Sequence, residues 1–239
     1  MTDTTRTAQD GSLAHARHGA RRVFDLSPPL SPAIGVWPGD TPLTREVLCD
    51  IERGANITLS TLRTTVHVGS HADGPNHYGA GASDIASMDL AHYLGPCTVL
   101  RTRAMEGGSS RDRGEGQRVG ASDIEGGLDR ALMPRVLIAT GTFPDPRAWD
   151  SAFAGLDPAL IDALARRGVI TIGVDTPSVD PQDSKDMPAH KAMLRTGIAI
   201  LEGLALASVP AGDYELIALP LRLVGFDASP VRAVLRELA

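Results

Sequence analysis

His67-Val68-Gly69-Ser70-His71-Ala72-Asp73-Gly74-Pro75-Asn76-His77 holds three of the chain's seven histidines, with an aspartate among them. A helix would set His67 and His71 one turn apart on a single face. Gly69, Gly74 and Pro75 oppose that helix. In a straight strand the step from His67 to His71 spans ~13 Å, which is long for two imidazoles on one ion. The chain is therefore expected to bend near Gly69-Ser70, where glycine permits it, and to bring His71 and Asp73 back toward His67. Gly74-Pro75 then turns the chain again and returns His77 over the same spot. Imidazole nitrogens with a carboxylate oxygen suit zinc, manganese or iron. The alternative is a polar loop with three unrelated histidines.

Upstream, Ile57 to Val68 (ITLSTLRTTVHV) is rich in β-branched residues and reads as a strand leading into the window. Before it, FDLSPPLSPAIGVWPGDTP carries Pro28, Pro29, Pro32, Pro38 and Pro42, which forbid a helix and predict an extended surface loop around Trp37. Downstream, GPCTVLRT and RVLIATGT read as strands. Glu106 to Gly120 between them is polar and Gly-rich, and reads as a mobile surface insertion over 106–120. Asp157-Pro158 opens a helix that Gly168 stops. Val169 to Val174 is an apolar run suited to a strand buried on both faces. Tyr214 to Leu219 and Arg222 to Phe226 read as closing strands. Strands outnumber helices in a mixed order, which favours one α/β domain with a mixed sheet or barrel over a doubly wound sheet.

A second cluster lies far along the chain. Asp186-Met187-Pro188-Ala189-His190 is expected on a loop after the buried strand, and Glu202 sits inside the apolar run IAILEGL. An ionised carboxylate there is costly unless it is paired or metal-bound. Glu202 therefore serves the metal, faces solvent at a strand end, or meets a distant arginine.

Composition narrows the function classes. In 239 residues, 42% are hydrophobic and 22% charged, a globular mix that excludes a mostly disordered chain. Lys plus Arg is 23 against 29 acids, a net charge of −6 that argues against non-specific nucleic-acid binding. No run approaches the ~18 apolar residues of a membrane span. Two cysteines, Cys49 and Cys97, make neither a disulfide framework nor a cysteine zinc site. The expectation is a soluble acidic protein of the cytoplasm. Residues 1–22 carry no signal-type apolar core and are expected to be a flexible tail, with one domain over 23–239. Ser31 and Ser178 lack a G-x-S-x-G frame, so a serine hydrolase is not expected. His92 reads as a packing or surface residue, and Asp175 to Ser178 as a strand end that borders the site without a role assigned.

HVGSHADGPNH resembles the H-x-G-T-H-x-D-x-P-x-H signature of the metal-dependent cyclase-like hydrolases, and within them the bacterial kynurenine formamidase group. FDLSPPLSPAIGVWPGDTP, PAHKAML and AILEGL match as well, so the resemblance runs from about Val23 to the C-terminus. Ser70 replaces the usual Thr and keeps the hydroxyl, and the 106–120 insertion is longer than the family's usual segment. The resemblance implies a swivelling β/β/α fold with a mixed, barrel-like central sheet, assembled as a homodimer. It implies two divalent ions per subunit, zinc or alternatively manganese. His67, His71 and Asp73 would hold one; Asp73 and His190 would hold the second; Glu202 would bridge both. It makes His77 the proton carrier and puts Trp37 on the substrate pocket, although Trp37 equally suits a role pinning its Pro-rich loop.

The implied reaction converts N-formyl-L-kynurenine to L-kynurenine and formate, a step of tryptophan degradation. Metal coordination lowers the pKa of water from 15.7 to ~7. A histidine, with its reference pKa of ~6.5, suits both taking the water proton and delivering it to the leaving nitrogen. Two rivals stand beside this reading. One is a hydrolase of a cyclic amide such as isatin on the same scaffold. The other is a non-catalytic metal-binding protein with a closed shell.

Overall fold

The computed structural model describes residues 16–18, 21–103 and 117–238. In chain order the strands are β1 (Ala16–His18), β2 (Arg21–Asp25), β3 (Thr44–Cys49), β4 (Leu59–Arg63), β5 (His71–Asp73), β6 (Leu94–Arg101) and β7 (Arg118–Val119). They continue as β8 (Arg135–Ala139), β9 (Gly155–Leu156), β10 (Thr171–Val174), β11 (Ala199–Glu202), β12 (Gly212–Ile217), β13 (Ala228–Pro230) and β14 (Val234–Glu237). Among the described residues two α-helices interrupt them, α1 (Pro158–Ala165) and α2 (Pro188–Thr196).

Ten strands make one mixed sheet in the order β1-β2-β14-β12-β6-β8-β10-β11-β5-β13, curled into a half-barrel. This is the mixed, barrel-like α/β architecture expected from the sequence. Its centre, β6, β8, β10 and β11, is parallel. Parallel neighbours need crossovers, and α1 and α2 supply two of them. Alternation then divides the side chains. Val136, Ile138, Ile172 and Ile200 pack against Leu160, Leu164 and Met193 of the helices. Leu137, Ala139 and Leu201 face the other core with Phe24, Tyr93, Leu216 and Leu235. The apolar runs of these strands are therefore continuous because both faces are buried.

Asp157 caps α1 by accepting from the Ala159 N–H, and Gly168 closes the turn after it at φ +80°, as the sequence predicts. Other expectations are corrected. The strand over Ile57–Val68 is only β4; its one partner is β3, and the ladder stops where Arg63 meets Thr44 at the start of β3. The window is thus entered from a turn. Arg222 to Phe226 is a turn around Gly225 at φ +82°, and the closing strands are β13 and β14. Asp186 to His190 is not all loop, because His190 sits in the first turn of α2. The strand β2 begins at Arg21 and β1 lies at 16–18, so ordered chain starts before Val23. Of the 106–120 insertion, 106–116 lies outside the described residues, while Arg118–Val119 pairs with β9 and buries Val119. Among the described residues no helix is long and apolar enough to cross a membrane.

Candidate metal centre

The bend expected at Gly69 is present. Gly69 takes φ +57°, a left-handed backbone that a side chain would strain. Beyond it the chain enters β5, where His71 and Asp73 share a face. Glu202 of β11 stands directly opposite His71 in the antiparallel register, which puts both side chains on that face. The backbones are held close at this corner. A Cβ on Gly203 would lie 2.1 Å from the Gly69 carbonyl oxygen. The Ser70 hydroxyl lies 2.8 Å from the Gly203 carbonyl and 3.1 Å from that of Leu26. The hydroxyl retained at Ser70 thus fastens the window to the end of β11.

His190 arrives from the helix side. Asp180 accepts from the main-chain N–H groups of Ala189 (3.1 Å) and His190 (3.0 Å), which caps α2 from outside the helix. The same carboxylate lies 2.8 Å from His190 Nδ1. His190 Nε2 is left 3.6 Å from Asp73 Oδ2 and 3.8 Å from Glu202 Oε1. His67 Nδ1 lies 3.3 Å from Asp73 Oδ1, and its Nε2 lies 3.0 Å from Asp227 Oδ2. His71 Nδ1 donates to the Gly69 carbonyl at 2.9 Å, which leaves Nε2 3.5 Å from Asp73 Oδ1 and 3.2 Å from Glu202 Oε2. His77 ends the Pro75–His77 turn as expected, with its ring 4.3 Å from that of His67.

All six clustered residues named from the sequence, His67, His71, Asp73, His77, His190 and Glu202, therefore converge on one place. Two overlapping donor sets have the spacing to hold a metal ion: His67, Asp73 and His77; and His71, Asp73 and Glu202. Asp73 belongs to both. The fit is more than proximity. Six buried side-chain polar atoms among the described residues lack a hydrogen-bond partner, and three of them are His71 Nε2 and both Asp73 oxygens. A buried carboxylate without partners is costly. A divalent cation would satisfy all three atoms. Outer acceptors on His67, His71 and His190 fix the ring tautomers, as metal-binding histidines require.

The charges agree. Burial alone would lower the pKa of His190, yet Asp180, Asp73 and Glu202 override it and raise it to about 10. Burial likewise opposes the rise of His67, which Asp73 and Asp227 carry to about 9. Burial would raise Asp73, but His190, His67 and His71 hold it well below the usual carboxylate range. Asp180 is held at about 2 against its burial by His190 and Arg118.

His67, His77, His190 and Glu202 floor a cavity of about 1000 Å³ at the carboxyl ends of the parallel strands, with His71 and Asp73 buried behind them. Trp37 lines it, half-buried, with its ring 5.5 Å from Trp149 and 6.2 Å from Phe153. Phe143 stacks edge-on to Trp149 at 5.6 Å, and Trp149 Nε1 donates to Gln182 Oε1 at 2.7 Å. Trp37 thus lines the cavity and pins its loop at once. Asp175 is also on the wall; burial raises its pKa although Thr140 and Gly141 donate to it.

The sequence reading missed Asp180, Asp227, Trp149 and Phe143. A signal existed for Asp180, five residues beyond Asp175 and eight before Pro188. None existed for Asp227, which directly follows the stretch Arg222 to Phe226 that reads as a strand. Cys97 is buried, and His92 Nδ1 lies 2.9 Å from the Ile170 carbonyl, a packing contact as expected.

The Cyclase family model ("Putative cyclase") matches residues 24–181. A predicted metal-dependent hydrolase from Bacillus stearothermophilus is similar in structure, at TM-score 0.74 and 26% identity over 92% of this chain and 100% of that one. A potential metal-dependent hydrolase with cyclase activity matches with the same values. Isatin hydrolase A from Labrenzia aggregata shares the fold at TM-score 0.72 and 20% identity, covering 92% of this chain and 94% of its own.

Proposed function

From the premise that the chain belongs to the Cyclase family, we propose that it is a metal-dependent hydrolase of an aromatic amide, with N-formyl-L-kynurenine as its substrate. The observation that carries the reading is the set of buried atoms without hydrogen-bond partners on His71 and Asp73, directly behind the His67, His190 and Glu202 side chains that line an aromatic-walled cavity. His67, His71, Asp73, His190 and Glu202 would hold two divalent ions, zinc or manganese. Such ions supply Lewis acidity and make water acidic enough to react near neutral pH.

The chain's own residues do the rest. Trp37, Phe143 and Trp149 offer ring faces and edges to the substrate's aryl group and keep water from that side. At the rim, Arg147 pairs with Asp145 at 3.0 Å, and this pair offers both signs of charge to an α-ammonium and an α-carboxylate. His77 borders the floor and the cavity. It takes the proton from the attacking water and passes it to the leaving aryl nitrogen as the C–N bond breaks, giving formate and the free amine. General acid–base help of this kind is worth ~10²–10⁴-fold.

A second reading is favoured by the isatin hydrolases among the similar structures. A cyclic aromatic amide would use the same floor and wall. It carries no ammonium or carboxylate for the Asp145–Arg147 pair. Turnover of N-formyl-L-kynurenine and isatin, assayed side by side on metal-loaded protein, decides. Faster turnover of the linear amide is expected, and turnover of isatin alone transfers the assignment to the cyclic amide.

We propose a homodimer as well. Its support is the β3–β4 hairpin, which leaves Leu48, Leu59 and Leu62 exposed. A lone two-stranded hairpin is marginal in water, and an apolar surface of this kind marks a contact. Light scattering should give twice the 25.1 kDa chain mass; the chain mass alone refutes the dimer.

A further inference from the structure

The loop that follows β12 is tied to the histidine window at several points. The Gly74 N–H donates to the Asp227 carbonyl at 2.7 Å, and the Ile85 N–H to that of Phe226 at 3.1 Å. Asn76 Nδ2 reaches the Phe226 carbonyl at 3.4 Å, and Asp84 Oδ2 accepts from the Gly225 N–H at 2.6 Å. Beyond it, Ala228 pairs with Asp73 in the β13–β5 ladder. Asp227 is therefore fixed in register with the floor of the site.

Its side chain is placed between two rings. Asp227 Oδ2 lies 3.0 Å from His67 Nε2 and 3.4 Å from His77 Nδ1. His71 and His190 each have a private acceptor, the Gly69 carbonyl and Asp180. His67 and His77 face the same carboxylate. Its Oδ2 accepts from His67 Nε2 and lies at ion-pair distance from His77 Nδ1, so its charge favours a hydrogen on each of those two nitrogens. When His67 serves a metal it would keep its proton on Nε2, toward Asp227, and free Nδ1 on the side of Asp73. His77 carries its proton on Nδ1 and keeps the Nε2 lone pair for a proton from water.

We infer that Asp227 is a positioning residue that holds His77 in the Nδ1–H tautomer and thereby prepares Nε2 as the proton acceptor of the reaction. The inference deepens the hydrolase reading and rests on it for the assignment of His77 as proton carrier. Outer acceptors of this type change activity or metal affinity by ~10–100-fold when removed.

The test uses the full chain and two readouts. With ¹⁵N-labelled histidine in the chelated protein, long-range ¹H–¹⁵N correlations report the neutral tautomer of His77. The expected form is Nδ1–H in the parent and predominantly Nε2–H in Asp227→Ala. With saturating zinc and N-formyl-L-kynurenine, Asp227→Ala should lose roughly 10–100-fold in kcat with KM within about twofold. Asp227→Asn keeps the shape of the side chain and guards against a folding defect; its loss should fall between parent and Asp227→Ala. An unchanged His77 tautomer in Asp227→Ala overturns the inference, and so does a changed tautomer with unchanged kcat. A parent protein without turnover sinks the substrate reading instead and leaves the tautomer result to decide the placement of Asp227.

Discussion

The floor and the wall of the cavity are built on opposite principles. The inner part of the floor, His190 and Glu202 with His71 and Asp73 behind them, is almost wholly buried, and it rests on two strands and a capped helix. Yet it leaves His71 Nε2 and both Asp73 oxygens without a hydrogen-bond partner. The wall comes from irregular segments, and the Trp149 N–H, one of its two indole N–H groups, donates to Gln182. Its rings meet one another edge-on. Rigid and unsatisfied polar atoms mark a place made for an ion. Aromatic surface marks a place made for an apolar ring. The division of labour follows: floor substitutions should cost chemistry and metal, and wall substitutions should cost substrate binding.

The largest effect is expected for Glu202→Ala. Metal content measured by atomic absorption should fall and turnover should drop to background; full metal occupancy would remove Glu202 from the ligand set. Next comes His77→Ala, which should keep its metal and lose ~10²–10⁴-fold in kcat. Loss of an ion in that variant would make His77 a ligand, as its membership of the set with His67 and Asp73 permits. Trp149→Ala belongs to the wall. An aromatic pair is worth ~0.5–1.5 kcal/mol beyond its area, so KM should rise by up to roughly tenfold with kcat within a few-fold. A collapse of kcat with KM unchanged would break the distinction between floor and wall.

The smallest effect concerns the loop that carries Asp227. Asp84 accepts from Ser87 and from the Gly225 N–H, and these bonds hold its carboxyl below the usual 3.8. A folded-state pKa below the unfolded one gives stability that is present above pH ~4 and lost as pH falls through the folded value. Asp84→Asn should therefore lower Tm slightly at pH 7, and the gap to the parent should close in acid. A gap that persists at low pH would mean the carboxylate charge is not what holds the loop.

The sequence shows the floor far better than the wall, for physical reasons. His67 to His77 is a local unit whose glycines and proline dictate the bends, so its convergence can be read from eleven consecutive residues. The buried strands β8, β10 and β11 announce themselves by unbroken apolar runs. Glu202 stands out as a charge within one of them. The partners brought from afar do not. Asp227 reaches His67 only through the β13–β5 ladder, which pairs residues more than 150 apart in the chain. Trp149 and Phe143 meet Trp37 across loops, where no periodicity exists. Arg222 to Phe226 imitates a strand because Leu221, Val224 and Phe226 are apolar, but they stand exposed around Gly225. The sequence around His190 reads as a loop because its helix is capped by Asp180, ten residues away, a role that only the folded chain reveals.

The central claim is that the unpartnered floor holds metal for hydrolysis of an aromatic amide. Its most direct test is the hydrolysis of N-formyl-L-kynurenine by purified protein that is chelated and then resupplied with zinc or manganese. The account predicts activity that vanishes on chelation and returns with the metal. Turnover that survives complete removal of metal would contradict it.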